Sequence, residues 1–510
     1  MERISGLVGG GKLLLDPAAL FEEPFSPPSG QALVTARPGR LYWLGPLDVS
    51  RLDDLPEQAL PADVAERLER PGDGALDPRH LPLDHPEGVI ARFNHWFYGG
   101  LGERAFSDGR VPGGLAGDHH LVRAEAALVA RLAQRGGCPE RVRVLKLGAG
   151  AEVAPARRFF EELECLDAAV ARRCELTLTD YAPSMVEAAT ARAGLDPVLS
   201  ALVERGQLRL RVLDARKPEL AEDDLFTLVA SSYLYDSLPQ RGLARVGGRW
   251  YEFKARPQLP AWPQLAEFRR SLLADDLGAL HRVPARLFRS LDWDSVLDPL
   301  EAGEVPHRGL IEDICRNAGD IALPLGDALI AGFEALLPHV AAGGAVQTFD
   351  LGIPGLTPRE ALDPEELFKG PERIGGALLL GQNFELARRL FEGRGLKTHL
   401  VAPHRYVEEM LGEEVLSLDS LCEALAPEAL AELVGEQFVT RFWGCLVQGP
   451  GAEVFRRVVE GCFLTRSEAG PLEAELEALG LEGRGFVEGL FEARDRVGED
   501  WCYAQFRVEK

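Results

Sequence analysis

Val144-Leu145-Lys146-Leu147-Gly148-Ala149-Gly150-Ala151-Glu152 is the stretch on which the fold turns. An apolar, β-forming run meets Gly-x-Gly, and Pro155 follows where a first helical turn tolerates proline. This reads as a strand-to-helix junction. Glycines at such a junction let the backbone approach a ligand with no side chain between them. The helix beyond offers unpaired N–H groups and partial positive charge. A lone Gly-x-Gly is as often an ordinary turn, so its neighbours decide.

Reading outward, Arg141–Leu147 is a first strand, and a long helix runs from about Pro155 to Arg173. Glu175–Thr179 is a second strand, Met185–Ala193 a helix, Leu208–Leu213 a third strand and Leu225–Ala230 a fourth. Further on come a helix over about Gly326–Ala341, the strand Ala345–Phe349, a helix over Phe384–Arg394 and the strand Thr398–Val401. Alternating strands and helices imply a parallel sheet covered on both faces. Ahead of it, Leu121, Ala124, Ala127, Leu128 and Leu132 recur at helical spacing.

Carboxylates follow two of these strands. Asp180, after strand two, is placed to accept hydrogen bonds from both hydroxyls of a ribose. Asp214, after strand three, is placed to receive an adenine amino group. Tyr181 and Ala215 lie beside them, and Ser231 closes strand four at the carboxyl edge, where open α/β sheets bind ligands. Each Asp alone reads more readily as a cap or turn former; three features in order after three strands point to a nucleoside. A dinucleotide fits poorly, because Glu152 occupies the third glycine position and would repel a pyrophosphate. S-adenosylmethionine (SAM) carries no phosphate and its sulfonium tolerates carboxylates. The expected cofactor contacts are Lys146, Gly148, Gly150, Asp180, Tyr181, Asp214, Ala215 and Ser231.

Several segments together resemble the MidA-like family of class I methyltransferases, relatives of the mitochondrial assembly factor that methylates an arginine of respiratory complex I. The resemblance covers roughly residues 115–405. It is carried by the long helix after strand one, by Asp180-Tyr181-Ala182-Pro183-Ser184, and by Asp236-Ser237-Leu238-Pro239 with Gly247-Gly248-Arg249-Trp250 behind it. Gly343-Gly344-Ala345-Val346-Gln347-Thr348-Phe349-Asp350-Leu351-Gly352 is similar to the family's strand ending in an Asp-Tyr-Gly turn. The resemblance implies a Rossmann-like sheet, SAM as cofactor, and a protein side chain or small molecule as methyl acceptor. The chain departs from the family at Lys146, where relatives carry a carboxylate, and at Ser232 and Tyr233, where they carry Asn-Glu. Lysine either turns away, paired with Glu152, or the methionine end binds differently. Losing the glutamate removes the obvious carboxylate for orienting a guanidinium.

Methyl transfer needs alignment and, for neutral acceptors, a base. Tyr235 and Asp236, just past strand four, are the catalytic candidates, although Asp236 equally suits a cap before Pro239. Asp118-His119-His120 offers metal-ligand atoms but no third partner by spacing, and reads as a capping Asp with ordinary histidines. Asn94-His95-Trp96-Phe97-Tyr98 reads chiefly as core packing, with an aromatic wall for the pocket as the sharper alternative.

Composition bounds the rest. With 510 residues, 46% hydrophobic, there is material for one large core or two. The net charge of −24 and the lack of a dense Lys/Arg run argue against a nucleic-acid partner. The eight cysteines form no C-x-x-C pair, so neither a zinc site nor a disulfide framework is expected. No apolar stretch approaches the roughly 20 residues of a membrane span, and the start lacks a signal-peptide layout; a cytoplasmic protein with no membrane association is expected. The expected organisation is an N-terminal arm (1–88), a Rossmann-like domain in two parts (89–240 and 326–405), an inserted lid (241–325) and a helical C-terminal extension (406–510) able to bind a protein partner. The alternative to an enzyme is a non-catalytic methyltransferase fold serving as a binding or assembly factor.

Overall fold

The computed structural model describes residues 4–8, 11–15, 33–37, 40–44, 75–102, 118–135, 140–258, 265–274, 276, 278, 292–353, 372–374, 377–417, 463–478, 488, 491 and 503–510. They fall into two compact units, residues 1–67 with 404–501, and residues 68–403 with 502–510.

Seven strands lie side by side in the larger unit: β1 (Val142–Leu147), β2 (Cys174–Asp180), β3 (Leu208–Val212), β4 (Phe226–Ser232), β5 (Val340–Ile353), β6 (Lys397–Val401) and β7 (Tyr503–Glu509). Their order is β3-β2-β1-β4-β5-β7-β6, with Gln382–Asn383 paired to β5 off this row. The pairs among β3, β2, β1, β4 and β5 are parallel, whereas β7 runs antiparallel to both β5 and β6. Central strands read as unbroken apolar runs because both faces are covered; six of the seven residues of β4 are buried. The chain reverses its direction of winding between β1 and β4, which opens a crevice at their carboxyl ends. This is an open, mostly parallel Rossmann-like sheet, as the strand-helix alternation led us to expect.

Seven helices matter for the site: α1 (Val89–Leu101), α2 (His119–Gln134), α3 (Ala154–Leu166), α4 (Ala168–Arg173), α5 (Pro183–Leu195), α6 (Asp327–Leu336) and α7 (Phe384–Gly393). The single long helix expected after strand one is in fact α3 and α4. Asp167 leaves helical geometry at φ −157°, ends α3, and caps α4 by accepting the N–H groups of Ala169 and Val170 at 3.0 Å each. The helix expected to reach Ala341 stops at Leu336, because Pro338 restricts the next residues to a 3-10 turn.

The insertion expected as a lid forms an antiparallel sheet of Asp292–Pro299, Arg249–Gln258, Gly242–Val246 and Ile321–Pro324. Leu81–Pro82 pairs with Arg249–Gln258, so the end of the supposed N-terminal arm belongs to this sheet. Its core holds Phe253, Phe268 and Leu272 against Phe93, Trp96 and Phe97 of α1. The expectation of a helical tail also needs correction: β7, from the last eight residues, lies inside the central sheet. Its register places Ala504, Phe506 and Val508, all fully buried, between β5 and β6.

In the smaller unit, Ile4–Val8 and Gly11–Leu15 form one antiparallel hairpin and Leu33–Arg37 with Arg40–Leu44 another, joined by parallel pairing at Leu13 and Val34. Val415–Ser417 pairs antiparallel with Phe463–Thr465, and the helices Pro403–Leu411 and Arg466–Ala478 adjoin them. Most of the C-terminal segment expected to be helical, including residues 418–462, 479–487 and 492–502, lies outside the described residues. Among the described residues no helix is long and apolar enough to cross a membrane.

Candidate functional site

The turn after β1 is tied to the end of β2. Ala149 N–H donates to the Thr179 carbonyl at 2.8 Å, and Gly150 N–H donates to Asp180 Oδ2 at 3.1 Å. Gly148 and Gly150 both sit in the left-handed region, at φ +62° and +64°, which is why glycine is required here. A Cβ on Gly148 would meet Leu234 Cδ1 at 3.1 Å, whereas one on Gly150 would meet nothing within 4 Å among the described residues. The turn thus presents bare backbone to open space at the crevice.

Asp180 lies at that crevice, 8% exposed, with Oδ1 accepting the Ala182 N–H at 2.9 Å. Burial pushes its pKa up, against the backbone N–H groups that pull it down. Each oxygen carries one backbone hydrogen bond, and a carboxylate has room for about two per oxygen. Tyr181 follows; its hydroxyl has no hydrogen-bond partner among the described residues, and burial with the Asp180 charge pushes its pKa up.

Asp214 lies at the same edge, beyond β3. Burial alone would raise its pKa, but the Arg216 guanidinium and N–H outweigh it and hold the carboxyl below its ordinary value. Arg216 grips it through Nε at 3.0 and 3.1 Å and Nη2 at 2.7 Å, while Arg216 N–H adds a bond at 2.9 Å. Most of the acceptor capacity of Asp214 is therefore already used. Ala215, next to it, is buried.

Lys146 does not pair with Glu152. Its Nζ donates to Glu125 Oε2 of α2 at 2.6 Å, and Glu152 instead pairs with Arg192 at 2.6 Å. The reason is strand geometry: Lys146, still inside β1, faces α2, while Glu152 lies on the turn beyond the strand and faces α5.

The end of β4 is organised by a residue that the sequence offered only as part of a strand motif. Asp350, fully buried on β5, accepts the N–H groups of Tyr235 at 3.0 Å and Asp236 at 3.1 Å, and the Thr348 hydroxyl at 2.9 Å. Burial raises its pKa to about 6 despite these donors. Ser231 completes the chain by donating to Thr348 Oγ1 at 2.8 Å. Ser231 is thus engaged between strands and 2% exposed, not turned to the crevice. Tyr233, just beyond, holds φ +51° and donates its N–H to the Phe349 carbonyl at 2.7 Å. A non-glycine residue in this region marks local strain.

Of the two catalytic candidates, Tyr235 belongs to the core. It is 1% exposed, its ring meets Phe333 edge-on at 5.7 Å, and a Cβ on Gly332 of α6 would come within 2.6 Å of it. Its hydroxyl finds no partner among the described residues, and burial pushes its pKa far up. Asp236 is also fully buried, but its charge acts on Tyr98 of α1, raising the phenol's pKa after the larger effect of burial.

The aromatic segment of α1 divides its work. Phe93, Trp96 and Phe97 pack in the core, as expected. Asn94 pins the helix over the loop after β4, donating to the carbonyls of Ser237 and Leu378 at 2.7 Å each and accepting the Leu378 N–H at 3.0 Å. His95 is exposed with its ring 6.3 Å from that of Tyr181, and Tyr98 feels the charges of Asp236, Tyr181 and Asp180. The structure therefore brings Gly148, Gly150, Asp180, Tyr181, Asp214 and Asp236 towards one edge with His95 and Tyr98, and leaves Ser231 and Tyr235 behind it.

Asp118 caps α2, accepting the N–H groups of His120 at 2.8 Å and Leu121 at 3.4 Å. Its ligand atoms and those of His119 and His120 lie within 4.8 Å of one another, but Asp118 Oδ1 is shared by the cap and by His120 Nδ1 at 3.2 Å.

No protein-family model and no curated protein matches the sequence. Among solved structures, the chain is similar to an uncharacterised conserved protein of Burkholderia thailandensis, at 15% identity and a TM-score of 0.45, over 82% of this chain and 87% of that one. It is also similar to a Burkholderia thailandensis structure from the same superfamily, regarded as a methyl transferase and bound to S-adenosyl-homocysteine (SAH). That likeness has 15% identity and a TM-score of 0.42, over 84% of this chain and 95% of that one.

Proposed function

We propose that the chain is a SAM-dependent methyltransferase of the MidA-like kind, acting on a protein side chain or a small molecule. The observation that carries this reading is the hydrogen bond from Gly150 N–H to Asp180 Oδ2. It locks the glycine turn after β1 to the carboxylate after β2, at the point where the strand order reverses.

The residues present fit an adenosyl group. Among the described residues, Gly150 offers backbone with free space above it, Asp180 keeps acceptor capacity for two hydroxyls, and Tyr181 offers a ring face with a hydroxyl that has no partner. Asp214 and Ala215 form the far wall, with Arg216 holding the carboxylate in place. SAM supplies an electrophilic methyl group on a sulfonium. The chain supplies alignment, which in methyl transfer is most of what is needed. His95, Tyr98 and Tyr181 give an aromatic rim that favours cationic groups, and the fully buried Asp236 carboxyl lies close enough to act on Tyr98. We assign Asp236 the role of orienting the acceptor side, and assign Tyr235 none in the chemistry. A protein partner held by the C-terminal segment belongs to the same reading.

A second reading is favoured by the burial of Tyr235 together with the absence of the family's Asn-Glu pair at Ser232 and Tyr233. On it the fold binds an adenosyl ligand without transferring a methyl group. Incubation of cell extract fractions with SAM labelled in its methyl group separates the two. The enzyme reading expects label in one protein or small-molecule fraction that disappears with Asp180→Ala. Binding of SAM with no fraction ever labelled would favour the second reading.

A further inference from the structure

Among the described residues, Asp350 is a fully buried carboxyl with no Lys, Arg or His paired to it. Its partners are the N–H groups of Tyr235 and Asp236 and the Thr348 hydroxyl. Donors of this kind hold a carboxylate in place without cancelling its charge, and an ionised group out of water without a cation is costly. Burial accordingly raises its pKa to about 6. Near neutral pH the fold therefore carries a buried negative charge that waits for a counter-charge.

The sheet gives its place relative to the crevice. Phe349 pairs with Ser232, the last residue of β4, so Asp350 stands one residue past the end of that strand, at the carboxyl edge. The loop it holds starts with Tyr233 at φ +51° and Leu234, the side chain that a Cβ on Gly148 would meet at 3.1 Å. On the adenosyl reading, adenine lies by Asp214 after β3 and ribose by Asp180 after β2. The order β3-β2-β1-β4-β5 then carries the ligand's sulfur, which follows the ribose, across β1 towards this loop.

Resting on that reading, we propose that Asp350 is the counter-charge of the ligand's sulfonium and lets the pocket tell SAM from SAH, whose sulfur is uncharged. The carboxylate touches no part of the ligand; it acts across the loop that it positions. With strands about 4.8 Å apart, the separation is on the order of 8 Å, where opposite unit charges in a partly buried site favour each other by about tenfold. Bound SAM holds the carboxyl ionised, and the proton it carries in part near pH 6 passes to solvent. SAH leaves that proton in place. The preference for SAM thus rises as pH rises through about 6, and the product loses the attraction once the methyl group has gone. The loop turns two other titratable groups towards Asp350: Tyr235, whose phenol burial and the Asp350 charge keep protonated, and Asp236, itself fully buried. From β4, Ser231 reaches it through Thr348, and from β7 its register partner is the apolar Ala504.

The test is calorimetric titration of the full-length protein with SAM and with SAH at pH 6, each in buffers of different ionisation enthalpy, so that the heat counts protons. SAM should release about 0.4 proton more than SAH, and the SAM-to-SAH affinity ratio should rise about threefold between roughly pH 5.5 and 7.5. Asp350→Asn should abolish both differences. Thr348→Val removes a donor but leaves the carboxyl, so it should move the midpoint of the rise to higher pH; this reads Asp350 even if Asp350→Asn does not fold. Equal proton release for the two ligands, or a ratio independent of pH, overturns the proposal. So does a difference that survives in Asp350→Asn, or a midpoint that Thr348→Val leaves in place. If neither ligand binds wild type, the adenosyl reading itself falls; binding of both without a pH-dependent difference removes the role of Asp350 alone.

Discussion

Gly148 and Gly150 share a backbone region but not a surrounding, and this separates what each does. Alanine at either position costs about 1–2 kcal/mol through φ alone. At Gly148 the added carbon also presses on Leu234, while at Gly150 it enters only the space we assign to the ligand. Gly148→Ala is thus expected to lower stability more, and Gly150→Ala to weaken SAH binding more, as thermal unfolding and titration of both variants will read. Tyr235→Phe makes the opposite kind of case. Removing a buried hydroxyl that has no partner among the described residues should raise stability by about 1 kcal/mol and leave SAH affinity unchanged. A collapse of binding in that variant would return Tyr235 to the site. At this scale the sequence was informative wherever the backbone sets the geometry: the places of Gly148, Gly150 and Asp180 at the carboxyl edge were legible from their order after strands. Ser231 and Tyr235 were misplaced because position along a strand end does not tell which way a side chain turns once the chain leaves the strand with Tyr233 at positive φ. Glu125 was illegible for another reason, since its partner Lys146 lies 21 residues away and only packing joins them.

Elements were read well where periodicity spoke and poorly where a single polar residue intervened. The break between α3 and α4 comes from one capping Asp167 inside an otherwise continuous helical pattern. Asp350 likewise looked like part of a strand motif, yet it holds the loop after β4 through two successive N–H groups. Its folded-state pKa of about 6 lies above the ordinary 3.8, so the folded protein keeps a proton that the unfolded chain has released between those values. The stability contributed by this group is therefore full below about pH 4 and is lost as pH rises through about 6. Comparing wild type with Asp350→Asn by denaturant unfolding isolates it. The stability difference, wild type minus variant, should decline across that window and level off above it. A difference independent of pH would mean that Asp350 is charged throughout.

For the whole molecule, the least foreseen feature is that the chain's last eight residues complete the sheet. A strand of Tyr503–Glu509 has the alternation of any short β segment. Nothing in its local sequence tells that it inserts between β5 and β6, which precede it by more than a hundred residues of chain. Ending the chain at Cys502 removes three fully buried apolar side chains, Ala504, Phe506 and Val508, and exposes the edges of both neighbours. The loss is on the order of 5 kcal/mol, comparable to the whole stability of a typical domain. The shortened protein should lose its cooperative thermal transition; retention of one would mean that β7 is dispensable. The insertion shows the same limit, since Leu81–Pro82 joins its sheet from far upstream in the sequence.

Every role proposed for the chain depends on the crevice between β1 and β4 being an adenosyl pocket held by Asp180. Isothermal titration of the purified protein with SAM and SAH, alongside Asp180→Ala, reads this most directly. Saturable binding of both ligands at about micromolar Kd, abolished in the variant while its unfolding transition is kept, is the predicted result. A well-folded wild-type protein that binds neither would contradict it.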